Sequence, residues 1–210
     1  MYILAIETST EFASVCCLKD DTVLSEKKES GNRAHNQLLF DMIEDVINNA
    51  GLTLQMIDLF AVGTGPGSFT GLRVGASAVK GIAMGLSKKI MPVLSIDAAA
   101  LKAFDLSPDE ERINIVLEGR QKDFFHAEYS FINSDLEKIS EIIVHPYEKS
   151  SYIEGCVAGN VMKVNVSFKK YRDGVYPEAS FIGRLAFARK GIAGWDYSFE
   201  PEYYKDFKVR

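Results

Sequence analysis

The chain has 210 residues, 47% of them apolar and 25% charged, the proportions of an ordinary globular protein with one large domain or two small ones. At this length a core buries roughly 70% or more of the unfolded surface without help from disulfides or metals. The formal net charge is -5, and basic residues come in pairs such as Lys88-Lys89 and Lys169-Lys170 rather than in a stripe, which argues against tight autonomous binding of nucleic acid.

The N-terminus, Met1 to Glu7, has no basic leader, and no stretch approaches the ~18 apolar residues of a membrane span. Neither export nor membrane insertion is expected, and the expected location is the cytoplasm. Cys16, Cys17 and Cys156 show no paired spacing and read as reduced core residues.

In chain order, Tyr2–Ile6 reads as a strand buried on both faces, followed by a polar turn, Glu7 to Thr10. Ala13–Leu18 and Thr22–Lys27 flank Asp20-Asp21 as a hairpin. From His35 to Ala50 the apolar residues Leu38, Leu39, Met42, Ile43, Val46 and Ile47 recur at the helical period, and Gly51 stands at the C-terminal cap. Leu39, Ile43, Val46 and Ile47 make the core stripe, which places Phe40 and Met42 toward its margins. A strand at Leu59–Val62 precedes a glycine-rich segment, a helix over Phe69–Leu86, a strand over Ile90–Ser95 and a helix over Ile96–Phe104. The polar stretch Asp105–Arg112, with its proline, reads as a junction, so the expected halves are residues 1–105 and 106–210. Strands at Ile113–Leu117, Phe124–Phe131, Lys138–Val144 and Cys156–Gly159 and a helix at Ser180–Lys190 follow. Strands and then helices, twice over, describe an α/β chain of two similar halves, the last residues of which pack back on the first.

The segment Gly63 to Gly75 suits a tight turn feeding a helix N-terminus. It lacks the Lys and Ser or Thr of a phosphate-binding Walker loop, and Thr70 stands where a dinucleotide fingerprint needs its third glycine. Within the helix Gly71 and Gly75 are four apart, as are Gly81 and Gly85. Each glycine inside a helix costs about 0.5–1 kcal/mol relative to alanine, so four of them call for close approach of another backbone, either in the same chain or in a partner. Arg73 pairs with a carboxylate such as Glu7 or reaches a partner.

The motifs Ile3 to Thr10, Arg33-Ala34-His35, Gly65 to Gly75, Ala78-Val79-Lys80-Gly81 and Gly119-Arg120 together resemble the bacterial TsaB (YeaZ) family of tRNA threonylcarbamoyladenosine biosynthesis proteins. The resemblance implies an actin-like, ribonuclease-H-like (ASKHA) fold of two lobes. It implies a non-catalytic subunit that pairs with a catalytic sister, with a second copy of itself when the sister is absent, and with an ATPase subunit that binds the pair. The sister transfers a threonylcarbamoyl group to the adenosine beside the anticodon, and tRNA is met mainly through the complex. The docking residues it implies are Phe40, Met42, Gly71, Arg73, Val74, Gly75 and Ala78, and a degenerate nucleotide cleft would involve Glu7, Thr8, Ser9, Gly65 and Gly67. Glu7 stands where the family usually has Asp, and Leu94 to Ala98 departs from its usual version.

No catalytic residue, metal or cofactor is expected. The sister's two metal-binding histidines have no counterpart in Ile96 to Lys102, and His35, His126 and His145 show no metal-ligand spacing. Neither a GxSxG elbow nor an HExxH motif occurs. His126 and Glu128 alternate on a strand and read as a surface pair rather than an acid–base dyad. The rival reading is a stand-alone actin-fold phosphotransferase using ATP; a peptidase has only remote family association behind it.

Overall fold

A computed structural model describes residues 1–30, 38–120, 122–132, 135–161 and 170–204. The chain divides into two compact units, one formed by Met1–Ala98 with Pro177–Glu202 and the other built on Ala99–Tyr176.

The first unit holds a five-stranded sheet in the order β3-β2-β1-β4-β5. β1 (Tyr2–Glu7), β2 (Phe12–Lys19) and β3 (Thr22–Ser30) form an antiparallel meander, and β4 (Leu59–Gly63) and β5 (Lys89–Val93) continue parallel to β1. β1 and β4 are central, which is why they read as continuous apolar runs; β3 is an edge strand with exposed and half-exposed residues throughout.

Helices α1 (Leu39–Asn49) and α2 (Phe69–Leu86) share one apolar cluster with the sheet, in which Leu39, Met42, Ile43, Val46 and Ile47 of α1 meet Ala78, Val79 and Ala83 of α2. Gly51 closes α1 with φ +68°, donating its amide to the Asn48 carbonyl, while Leu52 donates to that of Ile47, a left-handed cap that glycine adopts without a Cβ penalty. The expected start of this helix at His35, and the motif Arg33-Ala34-His35, lie outside the described residues.

The second unit repeats the plan. β6 (Arg112–Glu118) pairs antiparallel with β7 (Asp123–Ile132), which pairs antiparallel with β8 (Asp135–Lys138); on the other side β10 (Cys156–Gly159) and β11 (Lys170–Arg172) run parallel to β6. Read as β8-β7-β6-β10-β11, the strand directions match those of β3-β2-β1-β4-β5. This doubled pattern, an antiparallel meander continued by parallel strands, is the actin-like, ribonuclease-H-like architecture.

Four points differ from expectation. The single strand expected over Lys138–Val144 is two, β8 and β9 (Ile143–Pro146), both paired to β7. Between them Ser140 Oγ accepts from the Glu128 amide at 2.9 Å and donates to the Glu141 carbonyl at 3.1 Å, so the chain turns where its apolar pattern looked continuous. β11 was not foreseen, because three residues are too few to show a period. The last helix, α4 (Ala179–Ala188), belongs to the first unit, packing on β1, β2 and β4. Ala179 donates its amide to Ser14 Oγ at 2.9 Å, Lys28 Nζ meets Glu178 at 2.6 Å, and Gly183 lets the helix close on Leu18. α3 (Ser95–Leu106) bridges the division, which falls within it at Ala98 rather than after residue 105.

Among the described residues no helix is long and apolar enough to cross a membrane. The three cysteines are free and buried; burial pushes the Cys17 thiol up to about 11 and raises Cys16 further, leaving both far from the thiolate that reactivity requires.

Candidate functional site

The glycine-rich segment joins β4 to α2, and its structural role begins at the end of β1. Ser68 donates its amide to the Ser9 carbonyl at 2.6 Å, and Thr8 Oγ1 donates to the Gly71 carbonyl at 2.8 Å. On the other side Gly65 donates its amide to Ser95 Oγ at 3.1 Å and accepts from the Ser95 amide at 2.7 Å. Ser68 caps α2 by accepting from the Gly71 amide at 3.3 Å. The Ser68 and Gly71 amides at the start of α2 are thus used within the chain.

Close approach accounts for the glycines on this side. A Cβ at Gly67 would stand 2.6 Å from Ser9 Cβ, and one at Gly63 would stand 2.7 Å from Glu7 Cδ and 2.8 Å from Ser95 Oγ. At Gly75 a Cβ would collide with Thr8 Oγ1. No side chain larger than hydrogen fits at these positions without moving backbone or a fixed polar group.

The residues assigned to a degenerate nucleotide cleft are therefore interior groups. Glu7, Thr8 and Ser9 are buried, and Gly65 is buried beside them, where an added Cβ would stand 3.0 Å from the Glu202 carbonyl. Gly67 is half-buried against Ser9. Glu7 Oε1 accepts from the Ser9 amide at 2.5 Å, while Oε2 has no hydrogen-bond partner among the described residues. Burial raises the Glu7 carboxyl above its ordinary value, opposed by the polar groups of Ser9 and Ser95 beside it. Arg73 is not its counter-ion: it lies exposed on α2, its guanidinium 4.0 Å from the centroid of the Phe69 ring.

The docking set divides by face. Phe40 is 60% exposed, Arg73 is exposed and Val74 is half-buried. Met42 is fully buried, and Gly71, Gly75 and Ala78 are buried on the inner side of α2. For these four the assignment as outward contacts is corrected. Met42 completes the inner stripe because it falls between Leu39 and Val46 on one helical face, and Gly75 serves the approach to Thr8.

The outer face of α2 exposes Ser77, Gly81, Met84 and Gly85 with Arg73; the sequence marked the second glycine pair for close approach but placed only Arg73 of these five among the docking residues. Their recurrence every three or four residues from Arg73 is the signal that would have identified them. Outside the helix's own backbone, no atom of the described residues lies within 4 Å of where a Cβ would stand at Gly81 or at Gly85, so internal packing accounts for Gly75 and not for this second pair.

In the second unit His126 and Glu128 share a face, but they form no dyad. His126 Nε2 meets Asn114 Oδ1 at 2.8 Å, and Glu128 pairs with Arg112 at 3.7 Å. Among the described residues no group of three or more His, Cys, Asp or Glu side chains is placed to hold a metal ion.

Two outcomes are expected. Gly67→Ala lowers the stability of the chain by about 1–3 kcal/mol, read in urea denaturation; an unchanged midpoint would contradict the packing account. For Glu7, whose folded value lies above the ordinary 4.5, the stability it contributes is fully present below the unfolded value and is lost as pH rises through the raised folded one. Glu7→Gln does not titrate, so its melting temperature relative to the parent should climb as pH rises through that window; a constant difference would contradict the burial argument.

Comparison with known proteins agrees with this geometry. A family model described as tRNA N6-adenosine threonylcarbamoyltransferase (TsaD) matches residues 22–206. The chain is 30% identical over 180 residues to the tRNA threonylcarbamoyladenosine biosynthesis protein TsaB of Haemophilus influenzae, covering 80% of this chain and 73% of that protein. It is 34% identical over 129 residues to the Escherichia coli protein of the same name, 61% of this chain and 55% of that one. The match therefore spans little more than half the length of the second relative. The fold matches the crystal structure of an uncharacterized protein with similarity to peptidase YeaZ from Pseudomonas aeruginosa with a TM-score of 0.82 at 24% identity, covering 97% of this chain and 99% of that one. A structure described as YeaZ from Pseudomonas aeruginosa gives 0.80. With the glycine-rich segment, the doubled sheet and these relatives in agreement, the chain belongs to the TsaB (YeaZ) branch of the threonylcarbamoyltransferase family.

Proposed function

We propose that this chain acts in tRNA threonylcarbamoyladenosine biosynthesis as a non-catalytic subunit, docking through the outer faces of α1 and α2 on a catalytic sister related to tRNA N6-adenosine threonylcarbamoyltransferase. The observation that carries the reading is the pair Gly81 and Gly85, exposed on α2 with no described atom outside the helix within 4 Å of where a Cβ would stand. Each weakens the helix by about 0.5–1 kcal/mol, and nothing among the described residues recovers that. Close approach of a second helix backbone recovers it through extended van der Waals contact. Phe40, exposed on α1, supplies the aromatic anchor that interface cores favour.

The names of the relatives support the pathway. The non-catalytic role is supported by α3. Its stretch Ile96 to Lys102 has no histidine where the sister carries its metal ligands, and Asp97 there is engaged with Arg189 Nη1 at 3.0 Å. In this reading the same helical face joins two copies of the chain when the sister is absent, an ATPase subunit binds the heterodimer, and tRNA is contacted mainly through the complex. The rival reading, a stand-alone phosphotransferase, has against it the filling of the β1 end by the chain's own glycine-rich segment.

The test is affinity for the catalytic sister from the same organism, measured by isothermal titration beside the stability of each variant. Gly81→Ala should raise the stability of the isolated chain by about 0.5–1 kcal/mol while weakening the complex. Phe40→Ala should leave stability nearly unchanged and cost about 1 kcal/mol or more in binding. Unchanged affinity in both variants would overturn the docking face, and ATP turnover by the isolated chain would favour the rival.

A further inference from the structure

One face of the second sheet carries a cavity of about 570 Å³ lined by Asn114, His126, Glu128, His145, Lys149 and Glu154 among others. It lies within the second unit and is separate from the helices of the proposed docking face.

The protonation of His126 follows from its neighbour. Asn114 Nδ2 donates to the carbonyls of Glu154, at 2.9 Å, and Cys156, at 3.4 Å. Its Oδ1 must therefore be the atom facing His126, and His126 Nε2, at 2.8 Å, must carry a proton and donate it. In the neutral ring this leaves Nδ1 with a bare lone pair, and Nδ1 is buried with no hydrogen-bond partner among the described residues. An imidazole whose one nitrogen donates to a carbonyl oxygen while the other is held unprotonated is the arrangement of a metal-ligating histidine.

A second imidazole stands beside it. The rings of His126 and His145 have centroids 5.5 Å apart, with planes inclined by 44°. Two imidazoles bound to one tetrahedral ion at about 2.0–2.1 Å hold their ring centres roughly 5–6 Å apart. The register of β7 and β9 creates the pair: His145 stands opposite Phe124, two residues from His126, so both histidines project from the same face. Glu128, itself paired with Arg112 at 3.7 Å, and Glu154 also line the cavity and favour a cation there, with Lys149 the opposing charge among the lining residues.

We propose that His126 and His145 form a two-histidine site for a late first-row divalent ion such as Zn²⁺, with Asn114 as the residue that orients His126. No third His, Cys, Asp or Glu converges among the described residues, so water completes the coordination and the ion is exchangeable. Imidazole pairs select ions of this class over Mg²⁺ or Ca²⁺, which take oxygen ligands.

The test is titration of the intact protein with Zn²⁺ by calorimetry and with Co²⁺ by absorption, while the imidazole nitrogens are followed by NMR. One ion per chain is expected, with the Nδ1 resonance of His126 moving on Zn²⁺ addition. Affinity should fall about tenfold or more in His126→Gln and in His145→Gln. His145 is only half-buried, so if His126→Gln fails to fold, His145→Gln decides. Three results would each overturn the site: no saturable binding, undiminished affinity in the folded variants, or a thiolate-to-cobalt absorption band placing the ion on a cysteine.

Discussion

The first unit depends on how closely the glycine-rich segment settles on the end of β1. Two backbone carbonyls, those of Ser9 and Gly71, accept hydrogen bonds across this contact from the Ser68 amide and the Thr8 hydroxyl. Gly67 and Gly75 let the main chain reach that range, since a methyl group at either would meet Ser9 or Thr8 first. The contact fixes where α2 begins, and β4 and β5 hold the segment from the other side through Thr64, whose amide donates to the Val93 carbonyl at 2.8 Å. The segment is a packing device with the composition of a phosphate loop.

That contact separates the two kinds of glycine in α2. The helix has an inner face that must come close to β1 and β4, and an outer face on which the chain places Arg73, Ser77, Gly81, Met84 and Gly85. The same rotation about the helix axis takes Met42 of α1 into the core and leaves Phe40 outside. In the proposed docking, this helix pair offers a partner backbone small residues and one aromatic anchor. The second unit, with the same strand plan, places a polar cavity on its sheet instead.

Much of the fold was legible in the sequence because its signals are periodic. The bounds of α2 agree at both ends, since Ser68 before it and the break after Leu86 are sharp local signals. β1 and β4 showed themselves as unbroken apolar runs, as central strands do. The failures share a physical cause. β8 and β9 merged into one expected strand because the turn between them is made by Ser140 side-chain hydrogen bonds rather than by glycine or proline. α4 was read as part of the second half because chain order says nothing about which sheet a helix covers, and that is decided by tertiary contacts such as Gly183 on Leu18. At the candidate site, motif resemblance pointed to α1 and α2 but could not sort residues by face. Gly71, Gly75 and Ala78 were chosen for their place in a motif and Met42 for its place at the margin of the α1 stripe, whereas exposure follows the helical period. His126 could be placed beside Glu128 by alternation, yet its real partner, Asn114, is diagonal to it on a neighbouring strand, and no local pattern reveals that.

The central claim is that the outer faces of α1 and α2 are the surface that a catalytic sister covers. Amide hydrogen exchange of this chain, alone and saturated with the sister from the same organism, tests it most directly, because exchange reports where binding suppresses local opening. The account predicts added protection concentrated in Leu39–Asn49 and Phe69–Leu86. A stable complex with new protection elsewhere, and none on these helices, would contradict it.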